Sequence, residues 1–268
     1  MKEEYSELYL TADNDTAACQ RLIDIVRVLR RECPWDKVQT HESLKTCMIE
    51  EAYEAVDAVD QGDMDNLREE LGDVMLQVVL NGIIAENDKE FTITDIVNEE
   101  CEKMIRRHPH IFSEENSKTI DKVLEKWENV KSKEHGDSMV TDRLVNVPKA
   151  LPALLRSMKV QKRASQVGFD WNNAEEAFPK IDEELEELRK AVMTGDEGSV
   201  REELGDLLFS TVNVSRLLGI NPEEALNSST NKFTDRFVFI EAKAVERGMD
   251  IRSMTLEEMN EIWEEAKA

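Results

Sequence analysis

The sequence predicts an all-α protein of two tandem helical bundles with no significant sheet. Three observations lead there. Apolar residues recur at helical spacing through nearly every segment between turns. Only 10 glycines and 6 prolines interrupt the 268 residues. The second half repeats the order of elements found in the first. A hydrophobic share of 40 % is enough for packed cores, and a charged share of 34 % suits long amphipathic helices.

Residues 1–16 are polar and read as a flexible start. Ala17–Arg31 carries apolar residues at 22, 23, 25, 26, 28 and 29, a wide apolar helical face. Cys33-Pro34-Trp35-Asp36 stops this helix, because proline disfavours helix at the residue before it. A second helix begins between Thr40 and Ser43 and runs to Asp60, with Gly62 just past its end. A third, Met64–Ala85, sets Leu71, Val74, Met75, Val78 and Val79 at the spacing of a buried stripe. Thr92 or Thr94 caps a fourth helix that ends near Arg107, and the proline of His108-Pro109-His110 forces an extended step there. A fifth covers Lys118–Lys133. The polar stretch 136–148 loses the helical period and reads as a linker between a first domain at 17–135 and a second at 149–268. In the second domain helices are expected over Ala150–Gln166, Asn173–Met193, Ser199–Leu218, Pro222–Arg247 and Thr255–Ala266. Asn221 is the N-cap and Pro222 the first residue of the fourth of these.

A net charge of −24 argues against a nucleic-acid partner or an anionic membrane, since both repel such a chain. It leaves room for a small phosphorylated ligand brought in by a metal ion and a local basic cluster. No apolar run has the length of a membrane span and none resembles a signal peptide, so a cytoplasmic protein is expected. Cys19, Cys33, Cys47 and Cys101 form no CxxC pair and read as reduced thiols.

The chemistry concentrates in Glu183-Glu184-Leu185-Glu186-Glu187 and Glu203-Leu204-Gly205-Asp206. Residues three apart share a helical face, so a hairpin of these helices would bring Glu184, Glu187, Glu203 and Asp206 toward one point. Hard oxygen ligands with few histidines suit Mg²⁺ or Mn²⁺. A solvated acidic face is the ordinary alternative, because 58 of 268 residues are Asp or Glu. The internal repeat weighs against it. Glu51, Glu54, Glu70 and Asp73 each lie 133 positions before their counterparts, and Glu50 stands in the same relation to Glu183. Basic pairs repeat as well, Lys103 with Arg107 and Lys232 with Arg236. Trp127 with Lys131 and Trp263 with Lys267 close the two halves. Trp263 is either a core residue or a stacking wall for a base beside the phosphate contact of Lys267. The aliphatics Ile181, Leu185, Leu188 and Val192 define one helical stripe, from which Glu184 lies roughly 70° and Glu187 roughly 130° away. Leu204, Leu207, Leu208 and Thr211 define the next, with Glu203 on its shoulder. The metal set is therefore expected at the edge of a bundle core.

E-E-x-x-E, a spacer and E-x-x-D on two helices resemble the MazG nucleotide pyrophosphohydrolases of the all-α NTP pyrophosphatase superfamily. Cys33-Pro34-Trp35-Asp36, Gln39-Thr40-His41 and Arg106-Arg107-His108-Pro109-His110-Ile111-Phe112 resemble the first of two MazG domains. Val167-Gly168-Phe169-Asp170-Trp171 and Lys232-Phe233-x-x-Arg236-Phe237 resemble the second. The resemblance covers residues 17–268. It implies hydrolysis of a nucleoside triphosphate between its α and β phosphates to NMP and diphosphate, with broad NTP and dNTP specificity, in clearing unwanted nucleotides. It implies Mg²⁺ on Glu184, Glu187, Glu203 and Asp206, with Glu183 serving a further metal or the attacking water. Lys232, Arg236 and Lys267 would meet phosphates and Trp263 the base or ribose. The second domain is the implied catalytic one, and Glu51, Glu54, Glu70 and Asp73 form a secondary site in a mainly structural first domain. A homodimer is also implied. The competing expectations are a specialised dUTP, dCTP or phosphoribosyl-ATP pyrophosphohydrolase, and a non-catalytic helical dimer that binds nucleotide or protein.

Overall fold

The computed structural model describes residues 2–113, 119, 123, 127, 130, 134 and 140–267. The chain divides into two compact units, Met1–Lys131 and Ser132–Ala268. Among the described residues there are helices and turns but no strand. No helix among the described residues is long and apolar enough to cross a membrane.

The first unit contains α1 (Asp15–Glu32), α2 (Lys45–Gln61), α3 (Met64–Asp88), α4 (Ile93–Arg107) and the single turn α5 (Pro109–Phe112). Its start is not frayed. Glu3–Tyr9 forms a 3₁₀ helix, and Lys2 and Tyr5 both donate to the Glu32 carboxylate at the end of α1. Arg21 Nε also donates to the Leu8 carbonyl at 2.8 Å. Helix α2 starts later than its pattern suggests, because Thr40 and Ser43 hydroxyls hold a separate turn before it. Pro109 does not force an extended step but opens α5, where its missing N–H is not needed. The helix expected over 118–133 lies largely outside the described residues. The core joins Val26 of α1, Leu44, and Val79, Leu80, Ile83 and Ile84 of α3. Gly82 permits α4 to pack closely, since a Cβ there would sit 2.7 Å from Ile93.

The second unit contains α6 (Val140–Val145), α7 (Ala153–Ser165), α8 (Ala174–Thr194), α9 (Glu197–Leu217), α10 (Pro222–Glu246) and α11 (Leu256–Glu265). Part of the expected linker is thus the short helix α6. One core joins Ala174 and Ala177 of α8 to Val214 of α9. Another joins Ile240 and Ala244 of α10 to Met254 and Ile262.

Each unit turns on the same device. Gly62 and Gly195 end α2 and α8 in the left-handed region, with φ of 69° and 72°. Asp63 and Asp196 follow at once and accept backbone N–H bonds as N-caps of α3 and α9. The result is a tight antiparallel hairpin. Glu184 and Asp206 lie eleven positions on either side of Gly195, and Glu187 and Glu203 eight. At about 1.5 Å rise per residue, such pairs stand level across a hairpin. Glu51, Glu54, Glu70 and Asp73 are spaced identically around Gly62.

The aliphatic stripes turn inward only in part: Val79 is buried and Ile181 packs against the core of α8 and α9. Leu71, Met75 and Val78 of α3 are exposed, as are Val192, Leu204 and Leu208 of the second hairpin, and Thr211 is exposed too. The buried line of α8 runs through Ala174, Ala177, Glu184 and Ala191. Small residues let the helices approach there, so a carboxylate takes an inner position that the large aliphatics were expected to hold.

Candidate active site

Glu184 is 4 % exposed, while Glu203 is partly buried and Asp206 exposed. Oxygen atoms of Glu184, Glu187 and Glu203 lie within 4.8 Å of one another, the spacing of a potential cation site. Asp206 falls outside that trio but lines a cleft together with Glu184, and its charge reaches Glu203. In the first unit the trio is Glu51, Glu70 and Asp73, again within 4.8 Å. Here Glu54 is the member left out, although its charge reaches Glu70. Each hairpin thus converges three of its four acids, and the omitted one differs.

Burial, followed by the charges of Glu187, Glu184 and Asp206, raises the pKa of Glu203 above the ordinary carboxylate value. Glu51 is raised by burial and by Asp73 and Glu54, and Glu70 by burial and by Glu54. Such clusters favour a proton or a cation. The second one carries an internal cation that the motif reading missed. Lys180 Nζ lies 2.6 Å from Glu184 and 3.0 Å from Glu183. Its hydrogen bond to Glu184, then that to Glu183, raises the lysine's pKa. The signal was present, since Lys180 stands i−4 and i−3 to these acids on one helix.

The basic and aromatic residues form a separate group. Arg236 lies over the Trp263 ring at 5.3 Å, and Phe233 packs against that ring at 5.2 Å. Trp263 also packs on the core of α10 and α11. Lys232 is exposed, and neither it nor Arg236 forms an ion pair among the described residues. Lys267 pairs with Glu264 at 2.5 Å. The first unit repeats the arrangement, with Arg107 over Trp127 at 5.4 Å and Lys103 paired with Glu100. Lys131 lies outside the described residues. His108 packs edge-on to Trp127 at 4.9 Å, an aromatic contact.

The cleft beside Glu184 and Asp206 has a volume of ≈ 640 Å³, within the range of about 300–1,000 Å³ usual for small-molecule sites. Lys180, Trp171 and Phe209 line it. Gln161, Asn213 and Arg216 also line it and were not singled out in the sequence. Lone polar residues on otherwise amphipathic helices give no signal of whether they face water or a cleft.

The MazG nucleotide pyrophosphohydrolase domain family matches residues 39–112 and 172–238. Both acidic sets and the Lys232–Arg236 pair fall inside these segments, whereas Gln161, Trp263 and Lys267 fall outside. A Thermotoga maritima protein named nucleoside triphosphate pyrophosphohydrolase/pyrophosphatase MazG is 42 % identical over 250 residues, covering 92 % of this chain and 95 % of that protein. The nucleoside triphosphate pyrophosphohydrolase of Escherichia coli K12 is 39 % identical over 254 residues, 92 % of this chain and 96 % of the relative. Bacillus subtilis YabN is 46 % identical over 246 residues, which make up 91 % of this chain and 50 % of YabN.

Proposed function

The chain belongs to the MazG family of nucleotide pyrophosphohydrolases, and from that premise we propose that it hydrolyses nucleoside triphosphates between the α and β phosphates at the second hairpin, with Mg²⁺. The observation that carries this reading is the convergence of Glu184, Glu187 and Glu203 within 4.8 Å beside a cleft that Glu184 and Asp206 also line. Clustered carboxylates without enough internal positive charge fit a hard divalent cation, with Mn²⁺ a substitute. When bound, the cation neutralises the triphosphate and lowers the pKa of an attacking water.

The chain's own residues do the rest. Glu184, Glu187 and Glu203 hold the cation, and Asp206 completes the set from the cleft side. Lys180 orients Glu184 and Glu183 through its two ion pairs, which leaves Glu183 in position to hold the water. Lys232 and Arg236 contact phosphate oxygens, and the planar guanidinium suits that geometry. Trp263 carries Arg236 on its ring and so fixes the direction of the guanidinium. Lys267 meets phosphate after release from Glu264. The exposed stripes of α3 and α9 serve a homodimer with a second copy of this chain. The first cluster is a secondary cation site.

Incubation with each NTP and dNTP plus Mg²⁺, followed by product analysis, tests the proposal. Diphosphate and NMP are the expected products across several bases. NDP with orthophosphate would overturn the α–β assignment.

A further inference from the structure

The lining of the cleft includes two buried amides, Asn213 at 4 % and Gln161 at 7 % exposure. Each has one atom without a hydrogen-bond partner, Nδ2 of Asn213 and Oε1 of Gln161. The partners of the other atoms fix which is which. Arg216 reaches Asn213 Oδ1 at 3.1 Å from Nε and at 2.8 Å from a terminal nitrogen. A guanidinium only donates, so that atom is the amide oxygen and the free atom is a donor. Gln161 Nε2 donates to the Phe209 carbonyl at 2.8 Å. A carbonyl only accepts, so the free Gln161 atom is an acceptor. Buried polar atoms are rarely left unpaired, and two on one cleft wall mark a ligand that pairs them.

That ligand must present an acceptor and a donor. A phosphate offers acceptors alone and would meet the Gln161 oxygen unfavourably. The edge of a nucleobase offers both side by side. The remaining wall suits a flat ring. Trp171 and Phe169 line the same cleft at 40 % and 81 % exposure. Arg216 ties this wall together, since it also pairs with Asp170 at 2.5 Å, and Asp170 accepts the Trp171 N–H at 2.9 Å.

We infer that the cleft is a base-reading subsite. In it Asn213 Nδ2 donates to, and Gln161 Oε1 accepts from, the hydrogen-bonding edge of the substrate's base, while Trp171 and Phe169 cover its face. The inference rests on the nucleoside triphosphate reading above and moves the base away from Trp263. Every base carries a donor–acceptor edge, in differing order, so the subsite ranks the nucleotides instead of admitting one.

Asn213→Asp keeps an oxygen for Arg216 and turns the free donor into an acceptor. The relative kcat/KM values of the four NTPs should shift by about tenfold, with the preferred base losing most. Gln161→Met removes the acceptor and should shift the ranking in a different pattern, and it serves as the test if Asn213→Asp does not fold. A wild-type ranking in both variants, with NTPs still hydrolysed, would overturn the subsite and leave the hydrolase reading intact. If the wild-type protein hydrolyses no NTP, titration with the four phosphate-free nucleosides decides the matter. Selective binding altered by either variant supports the subsite even as the hydrolase reading falls. No binding, or selectivity unchanged by both variants, overturns it.

Discussion

The two carboxylate clusters sit on hairpins with the same turn chemistry, yet their surroundings differ. Beside the second, Lys180 holds Glu184 at 2.6 Å; the residue at the equivalent position of the first hairpin is Cys47. The first cluster has a neutral neighbour, Gln77, whose amide donates to Glu51 at 3.5 Å. The same offset of 133 pairs Asn213 with Leu80 and Arg216 with Ile83. Leu80 and Ile83 are core residues of the first unit, whereas Asn213 and Arg216 line the cleft of the second. Repetition of the carboxylate cluster does not therefore repeat the cleft beside it. The backbone device sets the carboxylates, and the residues one to three turns away along the same helices set what stands next to them.

The strongest way to break this comparison is turnover. Glu184→Gln should lower kcat at least about 100-fold, since even residues behind metal ligands are worth about 10–100-fold. Glu51→Gln should leave kcat within about twofold. The opposite pattern, measured as diphosphate release, would assign catalysis to the first hairpin. An intermediate effect is expected from the counter-charge. Lys180→Met leaves buried Glu184 unpaired and should cost about 2 kcal/mol in metal-free protein, a figure discounted for the lysine's exposure. Mg²⁺ should then raise the melting temperature more in this variant than in the wild type. Cys47→Lys should do the reverse and blunt the first cluster's response. Equal Mg²⁺ responses in all three proteins would remove Lys180 from the explanation.

The smallest effect is on pH dependence without metal. Glu51, Glu70 and Glu203 have folded-state pKa values above the ordinary 4.5. The folded state therefore binds their protons more tightly than the unfolded state. Their favourable share of stability is present below about 4.5 and is lost as pH rises through the raised values. Melting temperature between pH 4.5 and 7 should fall less steeply in Glu70→Gln than in the wild type. Glu203→Gln should flatten it less, since one carboxyl of the second cluster is raised against two of the first. Identical slopes would show that the clusters are not strained by their own charge.

The hairpin geometry was legible because it depends on local rules: glycine past the helix end, aspartate at the next cap, and a fixed rise per residue. The acids at equal distances from Gly62 and Gly195 could be read as level pairs for that reason. The inner face was legible only in part. The large aliphatics of α8 and α9 suggested a buried stripe, but Ala174, Ala177 and Ala191 allowed close packing around Glu184, and Leu204 and Leu208 remained outside. Trp263 showed a similar limit. Its spacing from Lys267 suggested an open stacking wall, while packing placed Arg236 and Phe233 on it.

By itself the sequence determined an all-α chain, two units in register, and two sets of four acids carried on consecutive helices. Periodicity and capping fix these because they act within one helix or one turn. Tertiary structure alone decided which three acids of each set converge, that Glu184 lies inside with Lys180 against it, and that a cleft with two unpaired amide atoms adjoins the second set. Those outcomes depend on how closely neighbouring helices approach and which face each turns inward. Helical spacing gives the angle of a residue on its own helix, but not the partner that the angle meets.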